Sequence, residues 1–153
     1  DQWLNLDEID ATTPDELRYP EFQPYMSDMM VAEARAYFRA MIENNRPAWE
    51  VVSSDWAMLN QTVARLYGID GVEGATCQRT PLPANSPRGG VITQAGVLKV
   101  TADGTSTSPV RRGVFMLEKI LGVIPTPPPP DVGNVDPDVR GATTIREQLA
   151  RHR

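Results

Sequence analysis

Apolar positions in the first half of the chain recur at helical spacing. Met30, Ala34, Tyr37, Phe38, Met41 and Ile42 fall three and four residues apart, which predicts one long amphipathic helix running from an N-cap at Ser27 to Asn44 and Asn45. Pro47 then breaks the helix or opens a short helical turn through Trp49, Val51 and Val52. Trp56, Leu59, Val63 and Leu66 form the next stripe. With Ser54 or Asp55 as cap and Gly68 as closing residue, they predict a third helix and, with the first, a helical hairpin around an aromatic core. Methionines and aromatics at this spacing read as core rather than as a cofactor box.

The pattern changes between Gly68 and Gly90, where glycines and prolines recur every few residues and no long helix fits. Thr76 to Leu82 alternates loosely, a short extended segment that Pro81 confines to a sheet edge. Val91, Ile92, Ala95, Leu98 and Val100 fit a fourth helix, although the valines leave a strand open as the alternative. Ser108 as N-cap and Pro109 at the first helical position start a fifth, lined by Val110, Val114, Leu117 and Leu121 and closed by Gly122. The expected fold class is therefore mainly α, a bundle of about five helices with a Gly/Pro-rich loop region and a polyproline extension. The expected organisation is a helical domain over 1–122, a Pro-rich linker or strap over 123–142, and a C-terminal helix over 143–153. Pro127 to Pro130 enforce the extended tract, and Thr144 with Glu147 fits a capping box for that last helix.

Composition adds exclusions. A chain of 153 residues, 41% hydrophobic and 23% charged, is long enough for one domain with a core and is not a disordered sequence. No apolar run reaches the roughly 20 residues that a membrane-spanning helix needs. The opening Asp1-Gln2-Trp3-Leu4 has no basic and then apolar leader, so a processed or excised chain is expected. The net charge of −5 hides an asymmetry: residues 1–75 carry 14 acidic against 5 basic side chains, residues 76–153 carry 6 against 10. Pairing within the molecule and a solvated surface account for this. Nucleic acid is not an expected partner, because the balance is acidic and the basic half has one aromatic, Phe115.

Few chemistries survive inspection. Cys77 is the sole cysteine and His152 the sole histidine, which leaves no disulfide, no multi-cysteine metal site and no evident base for a nucleophile. Neither Arg88-Gly89-Gly90 nor Gly71-Val72-Glu73-Gly74 matches a phosphate-binding loop. The carboxylate pairs Asp7 with Asp10 and Asp15 with Glu16 match no calcium loop and read as caps and solvated charge. The most distinctive patch combines Arg88, Gly89 and Gly90 with Thr105, Thr107, Ser108, Arg111 and Arg112. Backbone N–H groups at helix starts and three guanidinium groups make it a candidate cradle for an anion or a cofactor carboxylate; the alternative is that hydroxyls cap helices and arginines tie loops.

These blocks also carry a resemblance. Ser54-Asp55-Trp56 to Leu59-Asn60, Ala64-Arg65-Leu66-Tyr67-Gly68-Ile69 and Arg88-Gly89-Gly90-Val91-Ile92-Thr93-Gln94-Ala95 follow one another in an order that continues through Thr105 to Gly113, Leu117 to Gly122, the proline run and Thr144 to Leu149. That order resembles the planctomycete-type cytochrome c-associated domains of unknown function, of the PSD and PSCyt kind, over nearly the whole chain. In such proteins the pattern continues after the position of His152-Arg153 into a Cys-x-x-Cys-His segment that carries c-type haem. The resemblance thus implies no cofactor in this chain and c-type haem in the full-length protein. It also implies a periplasmic, cell-surface or secreted location, with adjoining domains of the same polypeptide and a redox partner as partners. Cys77 departs from the aromatic residue expected at its position. Two functions follow as expectations. One is a non-catalytic structural or interaction module supporting electron transfer by an adjoining domain, with Arg88 and Arg112 as contacts. The alternative is part of an extracellular enzyme, for example one acting on polysaccharide, whose active site other regions complete.

Overall fold

The computed structural model describes residues 1–126. Its longest element is helix α1, Tyr25–Glu43, which begins two residues before the expected cap because Pro24 supplies the N-terminal turn. Met30, Val31, Ala34, Tyr37 and Met41 form its buried face, whereas Ile42 is 80% exposed. Two 3-10 turns at Gln2–Leu4 and Leu6–Glu8 bring Leu4, Leu6 and Ile9 onto the same core.

The third predicted helix is overturned in its first half. Trp56–Leu59 is a strand, β1, paired antiparallel with β2, Gln78–Pro81, in the register Trp56 with Pro81 and Leu59 with Gln78. Trp56 and Leu59 are spaced to fit a helical stripe, but β1 gains its ladder from partners 19 to 25 residues further along the chain, which local periodicity does not reveal. Trp56 stacks on Tyr37 with ring centroids 4.4 Å apart, so the sheet packs on α1. Helix α2, Gln61–Tyr67, starts only after Asn60, whose side chain accepts from the Val63 N–H at 3.0 Å and donates to the Met29 carbonyl at 2.9 Å. Gly68 closes α2 in the left-handed region as expected. Leu66 is not in the core: it is 45% exposed.

The expected fourth helix divides into a 3-10 turn, Val91–Thr93, and helix α3, Ala95–Val100. A Cβ on Gly96 of α3 would meet Leu6 and Ile9, so a glycine there lets the N-terminal turns pack close to α3. Helix α4, Pro109–Phe115, starts where Ser108 and Pro109 predict, and runs into a π-helical turn, Met116–Ile120. Its buried residue is Phe115; Val110 and Leu121 of the expected stripe are 67% and 64% exposed. The five-helix bundle is thereby corrected to four α-helices with a two-stranded antiparallel sheet among the described residues. The polyproline tract and the C-terminal helix expected over 143–153 lie outside those residues. Among the described residues no helix is long and apolar enough to cross a membrane.

Candidate functional site

Glu33 occupies the core face of α1, one turn from Met30 and from Tyr37, and is fully buried. Its carboxylate needs donors, and two elements supply them. The Tyr67 hydroxyl at the end of α2 reaches Oε1 and Oε2 at 2.8 and 2.9 Å, and the Ala95 N–H at the start of α3 donates to Oε2 at 3.2 Å and to the Tyr67 oxygen at 2.6 Å. Loss of water pushes the Glu33 pKa up to about 7, although these donors and the Arg88 charge oppose the shift. Burial, and then the neighbouring carboxyl group, push the Tyr67 hydroxyl up. Glu33 is therefore a proton-carrying group near neutral pH, but the space beside it is only about 10 Å³, room for a water and not for a substrate.

The Arg88-Gly89-Gly90 turn forms one wall of this centre. Arg88 lies 4.1 Å from the Tyr67 ring centroid and donates to the Thr93 carbonyl at 2.8 Å. Thr93 Oγ1 accepts from the Gly89 N–H at 2.8 Å, and Ser54 Oγ accepts from the Gly90 N–H at 3.0 Å. Gly90 has φ +72°, and a Cβ there would collide with the Val52 carbonyl, so only glycine permits this close approach.

The other half of the predicted cradle lies elsewhere. Asp103 Oδ1 accepts from the Ser106 and Thr105 N–H groups at 2.7 and 2.9 Å, which holds its carboxyl well below the usual range. Arg18 donates to the Thr105 carbonyl at 3.0 Å, and the Asp15 N–H to the Gly104 carbonyl at 2.9 Å. Ser108 accepts from the Arg111 N–H, while Arg112 Nη2 donates to Thr107 Oγ1 at 2.6 Å. Thr107 and Arg112 line a second, larger cavity with Lys99, whose amine donates to the carbonyls of Ile9 and Thr12. Burial pushes the Lys99 pKa down. The sequence-predicted residues thus divide into two sets facing two cavities, Arg88, Gly89 and Gly90 at Glu33, and Thr107 and Arg112 at Lys99. Thr105, Ser108 and Arg111 hold the loop and the start of α4.

Glu33, Tyr67 and Lys99 escaped the sequence reading. For Glu33 a signal existed, since a carboxylate three residues from Met30 and four from Tyr37 falls inside an apolar stripe. Asp15, paired with Glu16 in the sequence, caps a turn by accepting from the Leu17 and Arg18 N–H groups at 2.9 and 3.0 Å. Cys77 is half-buried with Sγ 3.5 Å from Asn60 Nδ2, and burial pushes its thiol up. Covalent haem attachment takes two thiols two residues apart followed by a histidine, and Cys77-Gln78-Arg79-Thr80 does not fit it.

Residues 1–69 match the family model PSD4, protein of unknown function (DUF1592), and residues 88–153 match PSCyt3, protein of unknown function (DUF1588). The chain thus carries segments similar to two families of unknown function with cytochrome-associated naming. No curated protein and no solved structure matches it. The two matched segments share one core. Glu33 and Tyr67 of the first bond Ala95 of the second, Ile9 and Thr12 bond Lys99, and the Trp3 indole donates to the Lys119 carbonyl at 2.6 Å.

Proposed function

We propose that this chain is a non-catalytic structural and interaction module of a larger secreted cytochrome-associated protein, supporting electron transfer by an adjoining haem-carrying domain. The observation that carries this reading is that the Glu33 centre joins the two family segments and leaves no room for a substrate. Arg88 and Asp103 are occupied in ordering loops: Arg88 holds the Thr93 carbonyl and Tyr67, and Asp103 holds the turn before α4. Exposed Leu121, Val123 and Ile124, at the end of the described chain, are apolar surface that an adjoining region would cover. The haem, when bound by that region, supplies one-electron redox chemistry. The two family models, by their naming, support the cytochrome association. The test is the absorption spectrum of the full natural polypeptide. A c-type haem band that responds reversibly to reductant and oxidant is expected, and a colourless protein contradicts the proposal.

A further inference from the structure

Beside the loop from Ala102 to Thr107 lies a cavity of about 310 Å³, walled by Phe22, Met26, Met30, Leu66 and Leu98. Two cations stand among these apolar groups, Lys99 and Arg112, against the exposed Glu21 on the wall and the Asp103 carboxylate that the lining residue Ser106 bonds at 3.2 Å. Lys99 is engaged with the Ile9 and Thr12 carbonyls and lies 3.9 Å from Asp10. Arg112 is not fully engaged. One of its terminal nitrogens donates to Thr107 Oγ1, while its Nε is buried with no hydrogen-bond partner. A buried cationic donor without an acceptor is unfavourable, and a guanidinium is suited to bind a carboxylate through two parallel N–H groups. The apolar walls favour hydrocarbon over water. An apolar cavity of about 150 Å³ holds benzene, so about 310 Å³ accommodates a chain the size of octanoate.

We propose that this cavity binds a medium-chain carboxylate, with the anion on Arg112 beside the Thr107 hydroxyl and the hydrocarbon among Phe22, Met26, Met30 and Leu98. The site goes beyond the supporting role above and stands without it. Calorimetric titration of the 153-residue chain at pH 8 with octanoate and with 1-octanol tests it. Octanoate is expected to saturate one site at least tenfold more tightly than 1-octanol, and R112Q is expected to remove that difference while leaving 1-octanol binding unchanged. In the wild-type chain the Arg112 Nε–H resonance is expected to shift with octanoate and not with 1-octanol, a readout that does not depend on the variant folding. Equal affinity for the two ligands, no binding of octanoate, octanoate binding unaltered by R112Q, or an unmoved Nε–H resonance overturns the proposal.

Discussion

The Glu33 centre and the Arg112 cavity are built from similar parts, a charged side chain beside an aromatic and a glycine-containing turn, yet they differ in the space left around the charge. At Glu33 every neighbouring element comes close. Tyr67, Ala95 and the Arg88-Gly89-Gly90 turn converge until about 10 Å³ remains. At Arg112 the loop from Ala102 to Thr107 stands away from Phe22 and Met26, and about 310 Å³ remains. A buried ionisable group closely surrounded by its partners fixes a fold and leaves nothing for a ligand. One that keeps an unpaired donor beside an apolar cavity is left able to recognise something.

The largest effect that sharpens this contrast is expected from Gly90→Ala. The added methyl meets the Val52 carbonyl and the backbone sits at positive φ, so the loss is expected to be roughly 3 kcal/mol in urea unfolding. Next comes pH. Glu33 carries its proton more tightly folded, with a pKa of about 7 against an ordinary 4.5. Its contribution is therefore fully present below pH 4.5 and is lost as pH rises through 7, about 3 kcal/mol in all. Stability curves of Glu33→Gln are expected to lack this fall between pH 5 and 8, and a wild-type curve flat over that window would remove Glu33 from the account. The smallest effect is expected at the open site. R112Q loses one partly exposed hydrogen bond to Thr107 and is expected to change the unfolding free energy by less than about 1 kcal/mol. A larger loss would make Arg112 a structural tie like Arg88.

What the sequence made legible was local chemistry. Ser108 and Pro109 mark the start of α4 because a cap and its proline act within one turn, and Gly68 marks the end of α2 for the same reason. The short extended segment within Thr76 to Leu82 was readable from its alternation, and Pro81 does lie in a two-stranded sheet. Its partner was not, since Trp56 and Leu59 imitate a helical stripe until Gln78 to Pro81 is placed beside them. Of the stripe expected from Val110 to Leu121, Val114 and Leu117 are half-buried and Val110 and Leu121 exposed: Phe115 takes the buried position of α4, and Leu121 lies beyond a π-helical turn that shifts the phase. Arg88 and Arg112 were both visible as candidates. Which of them meets a filled space and which a cavity depends on α1, α2 and the Ala102 to Thr107 loop meeting in three dimensions.

The central claim is that the two family segments are one cooperative unit clamped at Glu33, and amide hydrogen exchange at Ala95 tests it most directly. Its N–H is bonded to Glu33 and Tyr67 across the junction, so it is expected to exchange with the same opening free energy as the Tyr37 amide in the middle of α1. Exchange at Ala95 through a much smaller opening, with Tyr37 still protected, would contradict the account.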